Sequence, residues 1–112
     1  MPYTVSHEWV ELEGEVATIG ITDSAQKELG EIVYVELPKV KAQVRKGDQI
    51  AILESTKAAV DLYTPLTGEV VAVNELLVDS PEKLNESPRK EGWIYKILIS
   101  EASELDDLLE KE

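Results

Sequence analysis

The chain has 112 residues, the size of one ordinary domain, so residues 1–112 are expected to form a single unit. Its 23 acidic and 11 basic side chains give a net charge of −12, which disfavours nucleic acid and anionic membrane surfaces as partners. Because the chain lacks cysteine, a membrane-length apolar run and a basic-apolar leader, we expect no disulfide, no membrane span and a cytoplasmic location.

Short apolar runs separated by turn residues follow one another along most of the chain. This pattern predicts a mainly β fold, a sandwich or barrel rather than a helix bundle. The six predicted strands are residues 16–21, 32–37, 49–53, 59–63, 69–73 and 93–100.

Three short helices are predicted between and after these strands from their capping residues and apolar spacing. The last of them, near the C-terminus, has leucines at 105, 108 and 109 on one face. The predicted caps are Asp23 with Gln26 and Gly30 for a helix over 24–29, Ser80 for one turn through residue 84, and Ser103 for the C-terminal helix.

Side chains that ordinarily carry catalysis or bind metals are scarce. His7 is the single histidine, and one histidine cannot form the two- or three-histidine metal sites of hydrolases. The sequence contains neither a glycine-rich phosphate loop nor the residue pattern of a calcium loop. We therefore expect no catalytic residues and no metal site, and a function that depends on binding or on an attached group.

Lys57 lies between two predicted strands, so it should occupy the tip of a tight hairpin with its side chain exposed. A lysine there is suited to carry an amide-linked group, because its amine can be acylated and its long stem extends the reach. Two glycine-turn-strand units, around Gly47 and Gly68, flank it almost symmetrically and suggest a quasi-two-fold β sandwich. From these residues alone, an ordinary surface lysine on a polar turn stays open as the alternative.

A longer stretch around this lysine, LESTKAAVDLYTPLTGEVV at residues 53–71, closely resembles the lipoylation region of the glycine cleavage system H-protein family. Thr56 and Ala58 flank the lysine where a biotin carrier has methionines, which favours lipoate. The resemblance implies the barrel-sandwich hybrid fold of lipoyl- and biotinyl-carrier domains, with short helices and a C-terminal helix. Further segments match in family order: SHEWV at 6–10, ATIGITD at 17–23, LGEIVYVELP at 29–38, EGW at 91–93 and SEL at 103–105.

The resemblance also implies roles for individual residues. Lys57 would carry lipoate as an amide, and Glu54 would help to present that lysine to the lipoylating enzyme. Ser6, Glu8 and Asp61 match positions that line the family's cleft for the loaded arm. The residues alone leave open that Glu54 is a solvated strand-end carboxylate and that Glu8 and Asp61 are ordinary surface acids.

In the family, the lipoyl arm takes an aminomethyl unit from glycine on the pyridoxal-phosphate enzyme glycine decarboxylase and delivers it to aminomethyltransferase. Dihydrolipoyl dehydrogenase then reoxidises the arm. The resemblance thus implies a monomeric, non-catalytic carrier in glycine catabolism and one-carbon metabolism. Its expected partners are these three enzymes and the lipoylating enzyme.

Two other functions stay open on the sequence. Departures from the family pattern at Ser24 and at Arg89-Lys90 are compatible with a related lipoate carrier that serves sulfur oxidation or a protein-lipoylation relay. The second alternative is a structural or interaction homologue that carries no modification, and the intact ESTKA motif at residues 54–58 argues against it.

Overall fold

The computed structural model describes residues 3–4 and 6–108, and β-strands dominate this part of the chain. The mainly β fold predicted from the sequence is confirmed. The strands are β1 (Glu8–Glu13), β2 (Val16–Ile21), β3 (Ile32–Glu36), β4 (Gln43–Val44), β5 (Gln49–Ser55), β6 (Ala59–Tyr63), β7 (Gly68–Val73) and β8 (Tyr95–Ile99). The helices are α1 (Asp23–Leu29), α2 (Leu76–Asp79), α3 (Lys83–Glu86) and a 3₁₀ helix over Ala102–Asp107.

The strands form two antiparallel sheets. The larger sheet has the strand order β1-β2-β8-β7-β4, and the smaller has the order β3-β5-β6. The chain crosses between the sheets four times, at the connections β2–β3, β3–β4, β4–β5 and β6–β7. The last two crossings contact each other, because the Gly47 N–H donates to the Thr64 carbonyl at 2.8 Å. They brace the base of the β5–β6 hairpin, whose far end is the reversal at residues 56–58.

The hydrophobic core receives side chains from both sheets and from α3. On β8, Tyr95 and Ile97 are buried, whereas Leu98 lies on the opposite face of the strand and is exposed. This alternation is the two-residue period of a strand. Leu53 of β5 and Leu84 of α3 are fully buried in the same cluster. The core therefore holds α3 firmly against the strands.

The first helix begins differently from the prediction. Thr22 is its N-cap, and the Thr22 Oγ1 accepts a hydrogen bond from the Ala25 N–H at 3.2 Å. The predicted cap, Asp23, is already helical, and its carboxylate accepts a hydrogen bond from Gln26 Nε2 at 2.9 Å. Gly30 ends α1 as predicted, with a positive φ of 82° that an L side chain rarely adopts.

The later helical segments also depart from their predicted bounds. The helical turn predicted to begin at Ser80 is found as α3, which begins three residues later at Lys83. The Lys83 N–H donates to the Ser80 carbonyl at 3.1 Å, so Ser80 lies in the turn that leads into this helix. The C-terminal helix is present as a 3₁₀ helix, closed by a bond from the Leu108 N–H to the Leu105 carbonyl at 3.2 Å. Leu109 of its predicted apolar face lies outside the described residues.

All six predicted strands are confirmed, with bounds that differ by at most two residues. The sequence prediction omits β1, β4 and α2. Within residues 3–4 and 6–108, the helices are too short and too polar to cross a bilayer.

Candidate functional site

Lys57 is exposed at the tip of the β5–β6 hairpin, as predicted. We call residues 55–58 the tip. The Ser55 side chain closes it, because Ser55 Oγ accepts hydrogen bonds from the N–H groups of Lys57 and Ala58, each at 3.1 Å. The Ser55 N–H also donates to the Ala58 carbonyl at 2.8 Å. The main chain of the tip is thus held by its own residues, and the lysine side chain is left to project from it.

The tip is attached to the body of the protein at two further points. The Thr56 N–H donates to the Glu31 carbonyl at 3.0 Å. The aliphatic stem of Lys57 lies over Gly30: a Cβ at residue 30 would lie 3.2 Å from the lysine Cε and 3.5 Å from its Cδ. Glycine at this position therefore lets the stem rest against the main chain that follows α1.

Glu54 lies three residues before Lys57, on the exposed surface of β5. It pairs with Ala59 across the hairpin and with Tyr34 on β3. These strand pairings fix its main chain relative to the tip, and its side chain is exposed. It is open to a protein that approaches Lys57.

An apolar cavity of about 190 Å³ opens beside this hairpin, and we call it the N-terminal cleft. Leu29 directly precedes Gly30, and Val60 lies on β6 just beyond the tip, so the cleft adjoins the surface that the Lys57 stem crosses. Its lining residues are Ser6, His7, Ile21, Ala25, Glu28, Leu29, Val60 and Leu62.

A second cavity, of about 230 Å³, contains Glu8 and is called the Glu8 pocket. Glu8 is only 3% exposed, so it is not an ordinary surface acid. Burial raises the pKa of its carboxyl group to about 7, although a hydrogen bond from Thr4 Oγ1 to Glu8 Oε1 at 3.0 Å acts in the opposite direction. Near neutral pH this side chain can therefore hold or release a proton. The other lining residues include Thr4, Ser6, Lys46, Tyr63 and Thr64.

Tyr95 lies near Glu8 and Thr64 of this pocket and is almost fully buried. Burial raises the pKa of the Tyr95 phenol, the nearby charge of Glu8 raises it further, and a hydrogen bond with Thr64 lowers it. The phenol therefore remains neutral and adds no charge beside Glu8.

The structure brings Ser6 and Glu8 together and leaves Asp61 apart from them. Ser6 lines both cavities, and Glu8 lines the second. Asp61 is exposed on β6 and is absent from the lining of either cavity. Its carboxylate accepts a hydrogen bond from Gln49 Nε2 at 3.2 Å instead. Asp61 points away from the cleft because Val60 and Leu62, its neighbours in the strand, line it.

The family model for the glycine cleavage H-protein matches residues 1–112, the whole of this chain. The chain belongs to the glycine cleavage H-protein family. The glycine cleavage system H protein of Thermotoga maritima is 52% identical over 110 residues, which cover 98% of this chain and 89% of the relative. That of Vibrio campbellii is 51% identical over 113 residues, covering 100% and 90%. A crystal structure of the H protein from Mycobacterium marinum superposes with a TM-score of 0.82 at 35% identity, covering 93% of this chain and 91% of that one.

Membership of the H-protein family confirms the function predicted from the sequence, that of the lipoyl carrier of the glycine cleavage system. The superposition on a solved H protein supports the predicted fold class, and the two-sheet architecture is consistent with a barrel-sandwich hybrid.

Sequence reasoning missed two features of this H-protein site. Gly30 was predicted only as a helix end, and nothing local indicates that it supports a lysine distant in the chain. Tyr95 was predicted on a strand, but its closeness to Glu8 depends on how β8 packs against the N-terminal segment.

Proposed function

We propose that this H protein carries lipoate in amide linkage to Nζ of Lys57. In this proposal it moves the aminomethyl group of glycine from glycine decarboxylase to aminomethyltransferase. The observation that carries the proposal is the exposed Lys57 at a braced hairpin tip, with its stem on Gly30 and an apolar cleft alongside. Dihydrolipoyl dehydrogenase and the lipoylating enzyme are the other proposed partners.

The residues around Lys57 fit such a group. The lysine amine is exposed and can be acylated, and the N-terminal cleft beside it presents apolar side chains such as Ile21, Leu29 and Leu62 to a hydrocarbon arm. When bound, lipoate supplies the dithiol–disulfide chemistry that this cysteine-free chain does not have. The protein itself would then be non-catalytic, a monomeric carrier in the cytoplasm.

Ser6 and Glu8 are proposed to hold the polar end of the loaded arm. Ser6 lines both cavities, and the Glu8 carboxyl group is shielded from water in a confined pocket. A carboxylate in such surroundings attracts an amine strongly, since little solvent screens the charge. Because Glu8 itself is almost fully buried, little water would reach a labile adduct held against its carboxylate. Asp61, exposed on the other face of β6, would reach the arm only from outside the two cavities.

Glu54 is proposed to be recognised by the lipoylating enzyme, because the hairpin fixes its main chain three residues before Lys57 and its side chain is exposed. Glu54→Ala is expected to lower the initial rate of lipoylation by about tenfold, which corresponds to the loss of one charge-assisted hydrogen bond. Its free energy of unfolding should change by less than about 0.5 kcal/mol, as for other surface substitutions. The rate is measured by intact mass spectrometry, with exposed Glu36→Ala of β3 as the matched control. Equal lipoylation rates for the two variants would remove this role from Glu54.

Reconstitution tests the carrier function directly. Lipoylated protein is expected to support carbon dioxide release from glycine by glycine decarboxylase, and one-carbon transfer to tetrahydrofolate when aminomethyltransferase is added. The same protein without lipoate is the control and should be inactive. If the lipoylated protein fails with these partners but supports sulfur oxidation or lipoyl transfer to other proteins, glycine cleavage is the wrong pathway.

A further inference from the structure

The tip that bears Lys57 rests on a short piece of main chain, residues 30–32, which we call the support segment. Thr56 donates its N–H to the Glu31 carbonyl at 3.0 Å, and the stem of Lys57 lies over Gly30. The direction in which the lysine leaves the protein therefore depends on where the support segment is held. This segment joins α1 to β3: residues 30 and 31 lie between the two elements, and Ile32 is the first residue of β3.

The side chain of Asn85 holds the support segment on both sides of Glu31. Asn85 Nδ2 donates to the Gly30 carbonyl at 2.8 Å, and Asn85 Oδ1 accepts from the Ile32 N–H at 2.9 Å. Nδ2 also donates to Gln26 Oε1 of α1 at 3.0 Å. One amide side chain thus joins the last turn of α1, the glycine beneath the lysine and the first residue of β3.

Asn85 is itself firmly placed. It lies in α3, and its neighbour Leu84 is fully buried in the hydrophobic core. The Asn85 N–H donates to the Glu82 carbonyl at 3.0 Å, which closes the helical turn. The short side chain of Asn85 therefore has little freedom to move. Its hydrogen bonds hold the support segment in a fixed position relative to the core.

We propose that Asn85 is a positioning residue for Lys57: through residues 30–32 it sets the location of the tip for lipoylation. This inference rests on the proposed attachment of lipoate to Lys57. The chemistry requires an amide, because the Gly30 carbonyl and Gln26 Oε1 need a donor while the Ile32 N–H needs an acceptor. Aspartate keeps the acceptor and loses both donors, and alanine removes all three bonds.

Asn74 offers a matched control within the same chain. Its side chain also makes three hydrogen bonds, here all to main-chain groups: Nδ2 donates to the carbonyls of Glu91 at 2.6 Å and Trp93 at 2.7 Å, and Oδ1 accepts from the Leu76 N–H at 3.3 Å. These partners belong neither to the tip nor to the support segment. Asn74→Ala should therefore destabilise the fold as Asn85→Ala does without loosening Lys57.

The first measurement is amide hydrogen exchange at Thr56 in the unmodified protein, followed by nuclear magnetic resonance. Asn85→Ala is expected to raise the exchange rate of the Thr56 N–H by about tenfold, because its acceptor at Glu31 becomes mobile. Asn74→Ala should change it by less than roughly twofold once global stability is matched with temperature or denaturant. Asn85→Asp, which keeps one of the three bonds, provides the same test if Asn85→Ala does not fold.

The second measurement is the kcat/KM of the lipoylating enzyme for each variant. Loosening the tip is expected to lower this value by about tenfold in Asn85→Ala and to leave it nearly unchanged in Asn74→Ala, since misplacing a reacting group costs rate. Exchange at Thr56 that is equal in the two variants would overturn the inference, whether or not lipoylation occurs. If wild-type protein acquires no lipoate, the proposed function fails, and the exchange experiment still decides the role of Asn85.

Discussion

The carboxyl group of Glu8 is almost fully buried from solvent. Its main chain begins β1 and bonds to Thr4, whose N–H donates to the Glu8 carbonyl at 2.8 Å and whose Oγ1 donates to the Glu8 carboxyl group. Burial outweighs this hydrogen bond and raises the pKa of the group to about 7. The site thus keeps a titratable group near neutrality in a chain whose other acids are mostly solvated.

Because Glu8 is buried, we expect its titration to lower the free energy of unfolding as the pH rises. The pKa of Glu8 rises from its ordinary value of 4.5 to about 7 on folding, so its contribution is complete below about pH 4.5 and is lost as the pH rises through about 7. The difference amounts to at most about 3 kcal/mol. Glu8→Gln keeps an acceptor for Thr4 and removes the titration.

Urea unfolding near pH 5 and near pH 8 measures the effect. The glutamine variant should gain stability relative to wild type at the higher pH, and the other titrating groups cancel in this comparison. A stability difference between the two proteins that is the same at both pH values would show that Glu8 is not strained by its burial.

At the scale of elements, the hairpin is held by close packing of strands at its base. Gly68 begins β7, and a Cβ there would lie 2.1 Å from the carbonyl oxygen of Leu98 on β8 and 2.7 Å from Ile97 Cγ2. Gly68 therefore serves a close approach between two strands, and not the turn that the sequence suggests. By contrast Gly47, between β4 and β5, has a positive φ of 95° and does serve a turn.

Gly68→Ala is expected to destabilise the protein by about 3 kcal/mol, at the upper end of what overpacking costs, because the obstructing atom is main chain and cannot move aside. Gly14→Ala is the control: its φ is 63° and nothing lies within 4 Å of the added carbon, so only the left-handed backbone cost of about 1–2 kcal/mol applies. Chemical denaturation of both variants compares them. A loss in Gly68→Ala no larger than that in Gly14→Ala would contradict the close approach of β7 and β8.

Elements with clear periodicity could be predicted from the sequence, and those shaped by tertiary contacts could not. The strand over Ala59–Tyr63 was predicted to the residue, because its apolar run ends at a proline turn. β1 was missed because it opens on a glutamate whose burial depends on Thr4 and the rest of the pocket. β4 has two residues and α2 has four, too few for a period to show.

The candidate site divides in the same way. Lys57 follows from its position between two strands together with the family motif, and the structure confirms the tip. Glu8 and Asp61 are both acidic residues beside apolar ones in the sequence, and only the fold shows that one is buried and the other exposed. The supporting role of Asn85 depends on an approach of α3 to residues 30–32 that no local pattern reports.

For the molecule as a whole, the net charge of −12 is a property of the surface that partners meet. Acylation of Lys57 removes one further positive charge. Several exposed carboxylates lie in the segments around the tip, including those of Glu28, Glu31 and Glu54. A small carrier of this kind would meet its partners through long-range attraction to basic surfaces, which speeds encounter without requiring tight binding.

The kcat/KM for lipoylation is therefore expected to fall as ionic strength rises toward about 0.15 M, where the Debye length is about 8 Å. Glu31→Gln should make the salt dependence weaker, because it removes a charge next to the tip. Glu13→Gln, at the end of β1, is the matched control and should change the slope less. A rate that is independent of salt would show that charge plays no part in the encounter.

The attachment of lipoate to Lys57 is most directly tested by intact mass spectrometry with peptide mapping of protein from lipoate-replete cells. Wild-type protein should gain a single lipoyl group on the peptide that contains Lys57. The gain should disappear in Lys57→Arg and persist in Lys39→Arg, which alters an exposed lysine between β3 and β4. A lipoyl group mapped to another lysine, or unmodified protein in cells whose other lipoate acceptors are fully modified, would contradict the account.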